Sequence, residues 1–309
     1  VVFASGKDRR PDAGELHTSF KLDSSGEYLG LFTADSPRQT AGEYAPQFPP
    51  QRSDYSYGLN AAGEAGYFDP PTPRAPNDAL ALFEGFCADP ASSIPAGLTE
   101  GTQHLAVELT CPTPGAEIFY TLDASEPSRT NGLRYAGPLD LFGATRSPSR
   151  IVRAVAYAPG LLPSNHATFS YVFVAYVPTQ AADPLGFPST WPNAPAADYA
   201  MDPEIAGNAA YASLIAEGLR SLATVSIVCD FDDLFGAVSG IYANPTQEGI
   251  AWERAASAEL FQPDGRAGFR QNCGLRIQGG ASRTPEKSPK HSFRLIFRGD
   301  YGATRLRCA

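Results

Sequence analysis

From residue 15 to 22 the chain reads Glu-Leu-His-Thr-Ser-Phe-Lys-Leu, placing Leu16, Thr18, Phe20 and Leu22 on alternate positions, the period of a half-buried strand. Asp23-Ser24-Ser25-Gly26 is a turn sequence, and Glu27 to Thr33 predicts the returning strand of a β-hairpin. Phe48-Pro49-Pro50-Gln51-Arg52-Ser53-Asp54 is too proline-rich for a central strand. Phe68-Asp69-Pro70-Pro71-Thr72-Pro73-Arg74-Ala75-Pro76-Asn77 predicts a stiff, extended linker, so a first module is expected over 1–66 and a linker over 67–80. Strand patterns then recur at 104–111, 117–123, 134–141, 151–158 and 168–174, separated by Pro/Gly/Ser/Asn turns, which is the spacing of a small β-sandwich over 81–176. A second linker over 177–221 is expected to carry a helix. Asp202 can cap it, Pro203 suits its first position, and Ile205, Ala209, Ala212, Leu214, Ile215 and Leu219 recur at roughly helical spacing. Residues 222–309 read as strands at 224–229, 256–261, 269–278 and 292–298, with a Pro263-Asp264-Gly265 turn and a glycine-containing loop, a run of antiparallel hairpins. The predicted fold class is mainly β, ending in an antiparallel α+β piece.

Composition supports a packed chain. Apolar residues make up 43% and charged residues 18%, too apolar for disorder, while 29 Gly and 28 Pro imply many turns and short strands. No apolar run approaches the ~18 residues of a membrane span. The chain begins with Val1 and its only Met is Met201, so it is expected to be a fragment or a processed product, and a missing signal peptide says nothing about export. The net charge of −9 divides unevenly: residues 250–309 hold 11 Lys and Arg against 5 Asp and Glu, leaving 13 against 28 for residues 1–249. Overall acidity argues against a general nucleic-acid binder, whose footprint is basic over a whole domain. The basic end asks for a separate explanation.

Candidate chemistry is sparse. Cys87, Cys111, Cys229, Cys273 and Cys308 are far apart, with no C-x-x-C pair, so neither a zinc site nor a disulfide framework follows. His17, His104, His166 and His291 have no H-x-x-x-H spacing, and there is no Gly-x-Ser-x-Gly elbow, so a hydrolase triad has no support. Asp230, Asp232 and Asp233 suggest either a metal site or a helix cap, and three acids this close more often cap a short helix. The 2 Trp, 14 Tyr and 18 Phe include rings able to stack on sugars, although Phe119, Tyr157 and Phe173 sit inside strand patterns and read as core.

Three stretches resemble known families. Phe3-Ala4-Ser5-Gly6-Lys7, Gly14-Glu15-Leu16-His17-Thr18, Ser25-Gly26-Glu27-Tyr28-Leu29 and Phe48-Pro49-Pro50-Gln51-Arg52-Ser53-Asp54 resemble the second half of a bacterial lamin-tail domain over about residues 1–60, which implies a partial immunoglobulin-like sandwich. The run from Cys111-Pro112-Thr113-Pro114-Gly115 through Ile118-Phe119-Tyr120-Thr121-Leu122-Asp123 to Ser125-Glu126-Pro127 resembles the chitobiase/β-hexosaminidase C-terminal repeat, also described as fibronectin-III-associated. Such modules accompany glycan-active and surface proteins, and the resemblance implies a second immunoglobulin-like sandwich without catalytic residues. Asp232-Asp233-Leu234-Phe235-Gly236, Gly240-Ile241-Tyr242-Ala243-Asn244-Pro245, Trp252-Glu253-Arg254, Gly274-Leu275-Arg276-Ile277-Gln278-Gly279-Gly280-Ala281-Ser282-Arg283 and Pro289-Lys290-His291-Ser292-Phe293-Arg294-Leu295, in that order, resemble the start of a CotH-type (spore-coat protein H) kinase domain. That resemblance implies the N-terminal part of an atypical, secreted or surface-associated kinase domain using ATP and Mg²⁺.

The residues themselves agree in part. A small-residue loop, Gly279-Gly280-Ala281-Ser282, lets backbone N–H groups approach phosphate oxygens, and Arg283, Lys287, Lys290 and Arg294 can neutralise a triphosphate. The expected nucleotide contacts are therefore Lys290, Arg283, Ser282, Gly279 and Gly280. Against this, Arg276, Arg294 and Arg298 at strand spacing are commonly a solvated sheet face, and Gly-Gly after a strand is commonly a hairpin turn. Many family members have Arg-Gly-Asn-Ser where this chain has Gln278-Gly279-Gly280-Ala281-Ser282, so the resemblance carries no Arg or Asn role into this loop. Phosphoryl transfer also needs carboxylates for the acceptor and for Mg²⁺. Only Glu286 and Asp300 follow Asp264, so catalytic residues are expected beyond Ala309 and the fragment is expected to be inactive alone. The functional expectation is a fragment of an exported, multidomain bacterial protein with a CotH-like kinase domain and a protein substrate, located outside the cell or at its surface. The alternative is a non-catalytic adhesion or glycan-binding array of sandwiches.

Overall fold

The computed structural model describes residues 1–77, 80–99, 104–142, 148–184, 186–191, 196–263 and 268–306. The chain is mainly β and divides into two units, 1–85 and 86–309. Pro263 is within the described residues, whereas Asp264 and Gly265 of the expected turn, together with Cys308, lie outside them.

The first unit is built from pairs of short strands. Leu29–Phe32 pairs antiparallel with Thr40–Tyr44, and Ser56–Leu59 with Ala65–Phe68. The expected hairpin between 15–22 and 27–33 does not form: Leu16–His17 instead pairs in parallel with Val2–Phe3. The Asp23 turn does close, with the Gly26 N–H donating to the Asp23 carbonyl, but the chain leaving it is claimed by the proline-rich segment. Phe48 N–H donates to the Glu27 carbonyl and Gln51 N–H to the Ser24 carbonyl. Gly26 is obligatory here, because at φ +104° an added Cβ would meet the Phe48 carbonyl oxygen. Phe48, Tyr67 and Phe68 are the buried hydrophobics, while Leu16, Phe20 and Leu22 of the alternating stretch are exposed. Part of the expected linker is strand: Phe68 ends Ala65–Phe68, and Tyr67 exchanges backbone hydrogen bonds with Phe83.

The second unit holds two cores. A five-stranded sheet runs in the order Leu133–Arg134, Glu117–Thr121, Ser149–Tyr157, Ala167–Phe173, Gly97–Thr99, with only the last pair parallel. Shorter pairs, His104–Val107 with Leu139–Phe142 and Ala91–Ser92 with Leu109–Thr110, complete a sandwich filled by Val107, Leu141, Val152, Phe169, Tyr171 and Phe173. A four-stranded antiparallel sheet follows in chain order: Thr224–Cys229, Arg254–Phe261, Phe269–Gln278, Ser292–Ile296. One face of it packs Cys229, Ala256, Ala258, Cys273, Leu275 and Ile277 against Ile241, Tyr242 and Trp191.

The other face of this sheet meets the sandwich through hydroxyls. On Ala167–Phe173 the odd residues enter the sandwich core, while Thr168 and Ser170 point away and are nonetheless buried. Thr168 Oγ1 donates to Ser257 Oγ at 2.8 Å, Ser257 Oγ to Asn272 Oδ1 at 2.7 Å, and Ser226 Oγ to Ser170 Oγ at 2.7 Å. Asn272 Nδ2 donates to the His166 carbonyl at 3.0 Å. Satisfied polar contacts of this kind fix one register of packing, since a half-made network leaves costly buried donors.

Between the two sheets, the single expected helix is three short ones, Pro203–Ala206, Ala209–Ala212 and Ile215–Ser221. Asp202 caps the first by accepting from Glu204 N–H. Gly207-Asn208 then ends it, and the Asn208 side chain starts the second by accepting from Ala210 N–H. An Asx residue inside a helical pattern competes for the backbone in this way.

Candidate functional site

The glycine loop leaves the end of Phe269–Gln278 and is followed by the 3₁₀ turn Ala281–Arg283. Gly279 holds φ +131°, and its missing side chain leaves the space that Ser282 Oγ occupies, 2.3 Å from where a Cβ would stand. Gly280 has open space around it. Arg283 N–H donates to the Gly280 carbonyl and Thr284 N–H to the Ala281 carbonyl, closing the turn. Among the described residues, the N–H groups of Gly280, Ala281 and Ser282 have no acceptor.

Arg283 is a staple. Its guanidinium donates to the carbonyls of Gly279 at 2.7 Å, Ile277 at 2.5 Å, Gln247 at 2.8 Å and Pro245 at 3.2 Å, with Glu248 3.6 Å away. These bonds tie the glycine loop to the 245–248 loop and occupy the donors that a phosphate would need. The sequence grouped Arg283 with the phosphate contacts, but its geometry is that of a residue holding the loop in shape.

Lys290 is placed differently. Its Nζ donates to Asp198 Oδ2 at 2.9 Å, and both side chains are about two-thirds exposed, at 66% and 61%. A surface pair like this contributes ~1 kcal/mol or less and opens readily. Asp198 is positioned by its neighbour Tyr199, which accepts from Trp191 Nε1 and donates to the Pro188 carbonyl. His291 beside Lys290 reaches back to the loop, its Nδ1 lying 3.2 Å from the Ser282 carbonyl. Its ring also lies tilted by 55° against that of Tyr242, with centroids 5.0 Å apart, and the Tyr242 hydroxyl donates to the Pro289 carbonyl. Burial pushes the His291 pKa below its usual value, which favours the neutral ring. His291 and Tyr242 thus anchor Lys290 next to the loop, a role the sequence did not assign to them.

Asp230 caps the helix Phe231–Phe235, its Oδ1 accepting from Asp232 N–H at 2.9 Å. Asp233 lies 3.5 Å from Arg254 Nε. Burial drives the thiol pKa values of Cys229 and Cys273 up, to about 12 and about 11, so both are unreactive packing residues. On the sandwich, Arg129 covers the Tyr157 ring at 4.5 Å and the Phe119 ring at 5.6 Å, so the aromatic pair on this sheet is already capped by a cation.

The sequence also passed over Glu253, read only as part of a family word. Its carboxylate is 1% exposed and lies across Gly274, where an added Cβ would meet Glu253 Oε1 at 2.6 Å and Tyr301 Cε2 at 2.7 Å. Oε2 accepts from Arg276 Nε at 2.6 Å and Arg298 Nη2 at 3.0 Å, and Oε1 accepts from Tyr301 O–H at 3.0 Å. A glycine inside a long strand was the one sequence signal for such a close approach.

Residues 107–171 match the Fn3-associated family, a stretch well under half of the chain. It spans the sandwich strands from the end of His104–Val107 into Ala167–Phe173. Neither the curated proteins nor the solved structures provide a match to the chain.

Proposed function

We propose that the four-stranded sheet is the first lobe of a CotH-like atypical kinase domain, carried by an exported multidomain bacterial protein, and that the Fn3-associated sandwich is its fixed mount. The observation that carries this reading is the loop. Three consecutive N–H groups without acceptors among the described residues, on a turn held in shape by Arg283, are donors of the kind that take phosphate oxygens. Lys290 is tethered beside them through His291 and is held in reserve by a weak, exposed pair with Asp198. In this reading the triphosphate displaces Asp198 from Lys290 and settles on the Gly280, Ala281 and Ser282 amides.

The residues at the loop suit phosphate and supply little for Mg²⁺. The nearby acids, Asp198 and Glu248, are oriented toward Lys290 and Arg283. Phosphoryl transfer therefore requires metal-binding carboxylates from elsewhere in the full protein. The hydroxyl seam supports the mounting role, because a sandwich fixed by buried hydrogen bonds to the sheet does not swing as a loose spacer. The glycan-binding alternative is weaker, since Arg129 already occupies the Phe119–Tyr157 rings.

Calorimetric titration of the 309-residue chain with Mg-ATP tests the proposal. Saturable binding is expected, weakened about tenfold by Lys290→Ala, the loss of one charge-assisted contact. Equal affinity in the variant, or no binding to the wild-type chain, would contradict it.

A further inference from the structure

The sandwich is hydrogen-bonded to one face of the four-stranded sheet at Ser226, Ser257 and Asn272. Beyond the hydroxyl seam that face continues through Gly274, Arg276 and Arg294, the last two directly opposite each other in the ladder. Like charges at such a pair repel and are destabilising unless something neutralises them. Glu253 neutralises only part of this charge. It takes one N–H each from Arg276 and Arg298, leaving Nη1 and Nη2 of Arg276, and Nε and Nη1 of Arg298, with no partner among the described residues. The Arg294 side chain is exposed and has no acid or acceptor there at all.

Three guanidinium groups are thus gathered on one face. Against them stand Glu253 and, next to Tyr301, Asp300, which has interactions of its own. The buried carboxylate acts as a brace. By gripping one edge of Arg276 and one edge of Arg298, it orders two planar forks whose other edges stay open, so that little side-chain entropy is left to lose on binding. A single exposed arginine is an ordinary solvated group, but two braced guanidinium groups with a third in register make a preorganised donor array.

We propose that this outer end of the sheet binds a tetrahedral oxyanion group, a phosphate or sulfate ester, through Arg276, Arg294 and Arg298. Guanidinium forks match the oxygen spacing of such groups and bind them bidentately. A monocarboxylate presents only two oxygens, too few to engage three forks. The site stands on residues other than the glycine loop and does not depend on the kinase reading.

The test is titration of the full chain with inorganic pyrophosphate and, separately, inorganic sulfate at low ionic strength, where surface charge is least screened. Pyrophosphate binding is expected to weaken about tenfold in Arg294→Ala, whose exposed side chain makes no contact among the described residues. Binding of sulfate as well would assign the site to oxyanions generally, sulfated glycans included; binding of pyrophosphate alone would assign it to phosphoryl groups. The proposal is overturned if neither anion binds, if Arg294→Ala and Arg298→Ala both bind as the wild type does, or if Lys290→Ala abolishes binding while Arg294→Ala does not.

Discussion

Glu253 sits just before the strand Arg254–Phe261 and Glu259 lies toward that strand's far end, and both are buried. Their surroundings differ in kind. Glu253 has two guanidinium groups and a phenol on its oxygens. Glu259 lies where the sandwich docks, bonded to Ser170, and its Oε2 has no partner among the described residues. Its ladder neighbour Arg270 is turned over the Phe169 ring at 4.4 Å. Burial, only partly opposed by Ser170 and Arg270, pushes the Glu259 pKa up to about 7. Tyr301 at the other end is pushed up to about 12, first by burial and then by its bond to Glu253, and so remains a neutral donor. Equal burial therefore has opposite consequences. Where counter-charge is abundant, the acid organises its neighbours; where a hydroxyl and one diverted arginine only partly offset burial, the acid is a liability that the fold tolerates at the junction.

The sharpest way to break this comparison is to remove Glu253. Glu253→Ala leaves Arg276 and Arg298 with no anion between them, and a loss of about 3–5 kcal/mol is expected in the unfolding free energy of the second unit, measured by denaturant titration. A loss under about 1 kcal/mol would show that the network is a solvated surface feature.

Glu259→Gln should act the other way. Because the folded-state pKa lies above the unfolded value of 4.5, the folded state holds the proton more tightly, and stability from this group falls as pH rises from about 4.5 to about 7 and is flat outside that window. The variant removes that loss. Near pH 8 it is expected to exceed the wild type by on the order of 3 kcal/mol at most, and near pH 4 to match it. Paired denaturation curves at the two pH values check the sign, and equal curves at pH 8 would remove Glu259 from the account.

Much of the second unit was legible in the sequence because strand period and turn chemistry are local. The strands at 224–229 and 269–278 sit where they were expected, and the one expected at 117–123 forms over 117–121. Alternation names a face and is silent about partners. The stretch from Leu16 to Leu22 was therefore read as half of a hairpin, although the proline-rich segment at 48–51 takes the hydrogen bonds after the turn. Trp191 and Tyr199, inside a segment read as linker, pack in and against the second core, a contact that composition does not reveal. At the candidate site the loop was visible from its small residues. The staple role of Arg283 was not, because its acceptors are carbonyls, which every residue has. The partners of Glu253 come from positions 276, 298 and 301, joined only by ladder register.

The central claim is that the amides of Gly280, Ala281 and Ser282 receive phosphate oxygens. Hydrogen–deuterium exchange across residues 279–284, with and without saturating Mg-ATP, tests it most directly. These amides lack acceptors among the described residues, so fast exchange is expected without ligand and marked slowing with it, lost again in Lys290→Ala. Unchanged exchange at the three amides in the presence of bound Mg-ATP would place the nucleotide elsewhere and contradict the account.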